Sequence, residues 1–145
     1  MPCVNDLLAE KDFRVLTIAS DATVLEATRM MNRYDVGSLV VMDEARVVGM
    51  LCERDVLRRV VGEKLDPADT LVSEVMTEQV IWCTPQTPLE EVQHVMKTRR
   101  INHVPVMGPG QTMRGMVSIG DLNAYLLRDE EVTIHFMHDY ICGKA

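Results

Sequence analysis

Two turns of this 145-residue chain place an aspartate six residues after a glycine, at the end of an apolar run. They are residues 49–55, GMLCERD, and residues 115–121, GMVSIGD. Ser118 and Asp121 form a Ser-x-x-acid pattern, which caps the backbone N–H groups in the first turn of a helix. Amides and a hydroxyl at a helix start also suit a phosphate, and a carboxylate can accept hydrogen bonds from both hydroxyls of a ribose. One copy leaves capping and ligand binding open, whereas duplication favours ligand binding.

The elements that must position these turns are duplicated too. Positions before the second hairpin recur after 65 residues, as in Val24 and Leu89, Met31 and Met96, and Val36 and Ile101. The offset is 66 residues for Gly49 and Gly115 and for Asp55 and Asp121, so one residue has been added in the turn at 108–112, where insertion is tolerated. We predict an α/β (α+β) fold of two βαββα units. Their pseudo-two-fold packing should let each unit complete the core of the other.

Each unit is predicted to begin with a short amphipathic turn, at 4–8 and 72–76, and then a strand, at 15–18 and 80–83. A helix capped by Asp21 or Thr23 follows, and Gly37 is expected to break it. The apolar face of this helix is formed by Val24, Ala27, Met31 and Tyr34. The matching helix of the second unit is traced at the equivalent positions by Leu89, Val92, Met96 and Arg99. A strand at 39–42, a second strand at 46–51 and a helix at 53–61 complete the first unit. We place the units at 1–62 and 72–128, with a polar linker at 63–71 and a tail at 129–145.

Composition restricts the class of protein. The net charge of -7 and a pI near 5.0 argue against binding to nucleic acid or to an anionic membrane surface. No apolar run approaches the ~18 residues that span a membrane, and the N-terminus lacks the pattern of a signal peptide. We therefore predict a cytoplasmic protein.

The cysteines and histidines form no recognisable catalytic or metal-binding pattern. The cysteines stand singly and are predicted to be reduced thiols; they are Cys3, Cys52, Cys83 and Cys142. Cys52 at a helix start is either a reactive thiolate or, the favoured interpretation, a small apolar filler. His135 and His138 have the spacing of a metal-binding pair, but a solvated tail is favoured. No enzyme, metal site or required cofactor is predicted, because no nucleophile stands with a base.

These repeats, together with the strand INHVPV at 101–106, resemble a tandem pair of CBS domains, a regulatory module that binds adenine nucleotides in many proteins. The resemblance covers about residues 4–127. The tail at 132–141 is similar to the closing helix of small stand-alone bacterial members. The resemblance implies a non-catalytic sensor whose regulatory ligand is an adenine nucleotide (AMP, ADP or ATP) or a related adenosyl compound. The sequence leaves open which of these binds, including a dinucleotide or S-adenosylmethionine. Such a module signals to a downstream protein, here unidentified, by a change of conformation or assembly.

The resemblance also implies two clefts between the repeats. The first would be lined by residues from the first turn and from the second repeat, namely Met50, Cys52, Arg54, Asp55, Val80, Ile81, Ile101, Asn102 and His103. The second would mirror it with Val15, Leu16, Val36, Gly37, Ser38, Met116, Ser118, Gly120 and Asp121. In each cleft the carboxylate would hold the ribose, apolar side chains would enclose the adenine, and strand amides would recognise its edge.

The two clefts differ in the side chains that they offer to a phosphate. The first offers Arg54, His103 and Arg100 as cations, but has Cys52 where the family usually has Ser or Thr. The second keeps Ser118 but has no cation among its predicted residues. We therefore favour the first cleft for a phosphate. A packed strand histidine is the alternative for His103, and a solvated helix end is the favoured interpretation of Arg99.

The outer helices are more apolar than contact with one partner repeat requires. Their apolar residues are Val56, Leu57, Val60, Val61, Leu122, Tyr125 and Leu126. The resemblance implies a disc-like homodimer in which these helices meet across a two-fold axis. A ligand-independent interaction scaffold with degenerate pockets is the alternative function, although the two aspartates favour the sensor.

Overall fold

The computed structural model describes residues 2–10 and 15–127. The elements of the first half are α1 (Val4–Ala9), β1 (Thr17–Ile18), α2 (Val24–Tyr34), β2 (Ser38–Asp43), β3 (Arg46–Cys52), α3 (Glu53–Val56) and a π-helical segment (Leu57–Val61). Those of the second half are α4 (Val72–Val75), α5 (Leu89–Arg99), β4 (His103–Met107), a 3-10 turn (Pro109–Gln111), β5 (Met113–Ser118) and α6 (Ile119–Leu127). The predicted tail, with His135, His138 and Cys142, lies outside the described residues.

The helix α2 begins at a capping box. Thr23 Oγ1 accepts a hydrogen bond from the Glu26 N–H at 3.1 Å, and the Glu26 carboxylate accepts one from the Thr23 N–H, also at 3.1 Å. The cap is therefore Thr23 and not Asp21. The helix ends at Asp35, which adopts the left-handed conformation with φ 53°, so the predicted break at Gly37 is two residues late. Tyr34 is 43% exposed, and its assignment to the apolar face was wrong.

The predicted strand at 80–83 is absent from the second repeat. Only Cys83 forms a bridge there, with Val106. In the first repeat the Val40 N–H donates to the Leu16 carbonyl at 3.1 Å, but the residue equivalent to Val40 is Pro105, which has no N–H. The hydrogen bond that would extend the strand to Ile81 therefore cannot form, and the prediction was wrong for this reason.

Both hairpins carry the same irregularity. The antiparallel register shifts between Val41 and Met42 in the first hairpin and between Val106 and Met107 in the second. Val41 pairs with Gly49, and Val106 pairs with Gly115, so each bulge lies next to a repeat glycine. Since the bulges match, the extra residue of the second repeat lies in the turn between Met107 and Met113, as predicted.

The two repeats exchange their short leading helices. Val4 and Leu7 of α1 pack in the core of the second repeat, with Leu89, Val104 and Leu122. Val72 and Val75 of α4 pack in the core of the first repeat, which also contains Val24, Leu39, Leu51 and Val60. The prediction that each repeat completes the other's core is confirmed. Val60 and Leu122 are fully buried, so their assignment to the outer faces was wrong.

This exchange predicts that Val72, in α4, stabilises the core of the first repeat. We expect Val72→Ala to lower the free energy of unfolding by about 1–2 kcal/mol, because it removes two buried methyl groups. Urea unfolding followed by circular dichroism measures this difference. Ser73→Ala, at the exposed neighbouring position, is the control. Equal effects of the two substitutions would contradict the packing of α4 in that core.

Candidate functional site

A cavity of about 440 Å³ lies where the strand-to-helix turn of the first repeat meets the second repeat. Its volume is within the range of small-molecule sites. The structure places in its wall all nine residues predicted for the first cleft, which are Met50, Cys52, Arg54, Asp55, Val80, Ile81, Ile101, Asn102 and His103. These residues from two repeats therefore share one site, which we call the first cleft. Their binding of a ligand stays a prediction.

Asp55 is held in place on both sides of its carboxylate. Its Oδ2 accepts a hydrogen bond from the Cys52 N–H at 2.9 Å, and its Oδ1 accepts one from the Thr77 hydroxyl at 3.2 Å. The residue is 9% exposed. A carboxylate has about four acceptor positions, so two remain for a ligand. Asp55 thus caps the helix start and still has the capacity to receive the hydroxyls of a sugar.

Thr77 reaches the first cleft through a short bridge to β3. The Met50 N–H donates to the Thr77 carbonyl at 2.9 Å, and the Thr77 N–H donates to the Met50 carbonyl at 2.8 Å. Met50 is 6% exposed, so this pairing fixes one apolar wall of the cleft. Sequence reasoning missed Thr77 and Gln79, because no spacing in the chain links residues after α4 to the turn at Asp55.

Cys52 is a neutral thiol at physiological pH. Burial raises the pKa of its thiol to about 11, and the neighbouring charge of Asp55 acts in the same direction. The interpretation of Cys52 as a reactive thiolate was therefore wrong. The position agrees with the favoured interpretation, a small apolar filler at the start of α3.

His103 stands at the start of β4, paired with Ser118 of β5. Burial lowers the pKa of its imidazole, while the charges of Glu53 and Asp121 oppose this shift. At neutral pH the ring is therefore mainly uncharged and can donate one hydrogen bond. Burial therefore disfavours the positive charge expected of His103, whose contact with a phosphate stays a prediction, while arginines also supply positive charge to the first cleft.

Arginines line the first cleft from both repeats. Arg58 and Arg59 join Arg54 on one side, and Arg99 and Arg100 lie on the other. Sequence reasoning missed Arg58 and Arg59, although each follows a predicted site residue by four positions and so lies on the same side of a helix. Arg99 is exposed at the helix end, as expected, but it also lines the cavity.

Gly37 leaves room for Glu53 at the edge of the first cleft. A Cβ atom at position 37 would collide with the Glu53 Oε1 and lie 3.2 Å from its Cδ. The Glu53 N–H also donates to the Gly37 carbonyl at 3.1 Å, so α3 starts directly against this glycine. A larger residue at position 37 would displace the Glu53 side chain within the cavity wall.

Most residues of the predicted second cleft lie away from the cavity just described, whose wall includes Gly37 alone of the nine. Val15 and Leu16 precede β1, Val36 and Ser38 flank Gly37, and Met116 lies in β5. Ser118 Oγ accepts a hydrogen bond from the Asp121 N–H at 3.0 Å, and Gly120 lies between them, so the helix cap predicted from the sequence is present.

The second cleft is only partly described. By the 65-residue offset, the counterparts of Thr77 and Gln79 are Asp12 and Arg14, which lie outside the described residues. His103 connects the two regions, since it lies within the electrostatic influence of both Glu53 and Asp121. The grouping of the second set around one ligand stays a prediction.

Among residues 2–10 and 15–127, the helices are too short or too polar to cross a membrane. In those same ranges, no three His, Cys, Asp or Glu side chains are grouped in a way that suits a metal ion.

Comparison with known proteins identifies the family. Residues 6–62 and 72–128 each match the family model of the CBS domain. The chain belongs to the CBS-domain family. The predicted resemblance and the predicted α/β class with two CBS repeats are thereby confirmed. The CBS domain is a regulatory module, so this CBS pair is non-catalytic.

Relatives match the CBS pair over most of its length. The mitochondrial CBS domain-containing protein CBSX3 of Arabidopsis thaliana is 31% identical over 97% of this chain and 72% of its own length. A crystal structure of a CBS-domain protein from Agrobacterium tumefaciens is 31% identical, with a TM-score of 0.80 over 86% of this chain and 98% of that one. A CBS domain protein of Pyrobaculum aerophilum in complex with AMP is 25% identical, with a TM-score of 0.73 over 83% and 89% of the two chains.

Proposed function

We propose that this CBS pair binds an adenine nucleotide in the first cleft and acts as a regulatory sensor. One observation carries the proposal: a cavity of about 440 Å³ combines a buried carboxylate, apolar walls and several arginines from both repeats. These are the groups that a ribose, an aromatic base and a phosphate require. The AMP bound by the Pyrobaculum aerophilum relative supports the same ligand class.

The base would lie between apolar side chains of the two repeats. Met50 of β3 faces the cavity from the first repeat, and Val80, Ile81 and Ile101 line it from the second. The Ile81 carbonyl has no hydrogen-bond partner among the described residues, because Pro105 cannot donate to it. This carbonyl is therefore available to an amino group such as the one on adenine.

The ribose would contact Asp55, and the phosphate would contact arginines. Asp55 is held by Cys52 and Thr77, so it needs little rearrangement to accept ribose hydroxyls. Arg54 stands one position before it on α3, and its Nη1 donates to the Arg100 carbonyl at 3.0 Å. This hydrogen bond joins the two repeats across the cleft, so a bound phosphate would act on both of them.

Ligand binding in the first cleft would affect a second surface, because the two share side chains. A groove of about 470 Å³ on the outer side of α2 and α3 contains Glu53, Arg54 and Arg58, which also line the first cleft. Its apolar part includes Met31, Leu57 and Val61. We place the homodimer contact at this groove, where movement of the shared arginines would change the packing between chains. The proposal also includes signalling to an unidentified downstream protein, a role in energy sensing and a cytoplasmic location.

Calorimetry with adenosine, AMP, ADP and ATP tests the proposed function. We expect heat of binding for at least one nucleotide, without its turnover, because the residues of the first cleft match all three parts of an adenine nucleotide. Mass spectrometry of ligand that copurifies with the chain would identify the compound. Absence of heat and of any thermal shift with all four compounds would contradict the proposal and favour the ligand-independent scaffold.

A further inference from the structure

The first cleft concentrates more positive charge than one phosphate requires. Five arginines line it, while the carboxylates in its wall are those of Glu53 and Asp55. This excess of positive charge stands in a chain whose formal net charge is -7. Like charges in one cavity repel each other, and an anionic ligand relieves that repulsion.

Two of these arginines are engaged with backbone carbonyls. Arg54 Nη1 donates to the Arg100 carbonyl, and Arg59 Nη1 donates to the Val75 and Met76 carbonyls, each at 3.0 Å. The guanidinium groups of Arg58, Arg99 and Arg100 make no hydrogen bond or ion pair with any described residue. Three guanidinium groups, contributed by both repeats, are therefore available at one cavity.

A single phosphate would not provide hydrogen-bond acceptors for all of these guanidinium groups. A phosphomonoester carries about -1.5 to -2 charges at pH 7 and three terminal oxygens. Arginine binds phosphate in a bidentate manner, so one phosphate is largely satisfied by two guanidinium groups. Each further phosphate supplies more acceptor oxygens and more negative charge for the remaining ones.

We infer that the ligand of the first cleft is an adenine nucleotide with two or more phosphates. This inference rests on the proposed function and specifies the ligand class. Arg58 lies one helical turn beyond Arg54, and Arg99 lies at the end of α5. We assign these two side chains to the phosphates beyond the first, with Arg54 at the phosphate next to the ribose.

Calorimetry on the full chain can separate this inference from the proposed function. We expect ATP to bind at least about tenfold more tightly than AMP, since one charge-assisted hydrogen bond is enough for such a difference. Arg58→Ala and Arg99→Ala should each weaken ATP binding by about tenfold and change AMP binding by less than about threefold. Arg29→Ala, at an exposed position of α2 outside the cavity, is the matched control and should change neither affinity.

Other results of this calorimetry would contradict either the inference on phosphate number or the proposed function. Equal affinities for AMP and ATP, or equal losses for both ligands in the arginine variants, would overturn the inference and leave the proposed function standing. Inorganic tripolyphosphate that binds as tightly as ATP would also overturn it, because the site would then be a general polyanion site. Absence of binding by every adenine nucleotide would overturn the proposed function itself.

Discussion

Asp55→Ala is expected to weaken nucleotide binding by roughly 10- to 150-fold. A hydrogen bond to a charged group is worth about 1.5–3 kcal/mol, and each factor of ten in affinity corresponds to about 1.4 kcal/mol. The structure explains why the effect should be large: the carboxylate is 9% exposed and its orientation is set by Cys52 and Thr77. Isothermal titration calorimetry with the nucleotide that binds most tightly measures the change.

Two comparisons separate ribose binding from helix capping. Thr77→Val removes the hydroxyl that orients Oδ1 but keeps the carboxylate, so it should weaken binding less than Asp55→Ala. Asp121→Ala changes the equivalent residue of the second repeat and should weaken only binding at the second cleft. A thermal melt of each variant checks that the protein remains folded. If Asp55→Ala and Asp121→Ala both retain the affinities of the original chain, the carboxylates serve only as helix-start residues.

Leu57→Glu is expected to convert a homodimer into a monomer, with a rise in the dimer dissociation constant of roughly 100-fold. Leu57 is 65% exposed and Val61 is 63% exposed, and both line the apolar part of the groove beside α3. A charged side chain at this position would lose its hydration in the interface and would replace an apolar contact with the partner chain. Light scattering should give about twice the 16.4 kDa chain mass for the original protein and one chain mass for Leu57→Glu.

The linker offers a matched control for this substitution. Leu65 is 45% exposed and does not line the groove, so Leu65→Glu adds the same charge elsewhere and should leave the dimer intact. Leu126 of α6 is 39% exposed, and Leu126→Glu tests the equivalent helix of the second repeat. A monodisperse monomer of the original chain at micromolar concentration, with nucleotide present, would rule out the proposed dimer.

The first cleft and the groove share side chains, so nucleotide binding and dimer formation should depend on each other. Glu53, Arg54 and Arg58 line both the first cleft and the groove, so their positions can depend on the ligand and on the partner chain at once. Linkage requires that a ligand which favours one packing of the dimer is itself bound more tightly by that packing. Comparing nucleotide affinity between Leu57→Glu and Leu65→Glu would therefore also measure the coupling.

The sequence by itself determined the elements that repeat. The 65-residue offset predicted the paired helices α2 and α5, the two hairpins and the turn that received the extra residue. The family resemblance, and not the offset, implied which residues of the turn at Asp55 and of the opposite repeat line one cleft, and the structure places them in the wall of one cavity. The repeated helices, hairpins and turns depend on local periodicity and turn chemistry, which the order of residues records directly.

Tertiary structure alone decided where the repeats differ. Pro105 satisfies the apolar pattern of a strand, yet it removes the one N–H that would have paired residue 81, and only the alignment of strands in space reveals that loss. The exchange of α1 and α4 and the approach of Thr77 to Asp55 are likewise invisible in spacing. The charge state of His103 depends on burial and on carboxylates from two distant turns. Such properties arise from long-range contacts, and a periodic pattern carries no information about them.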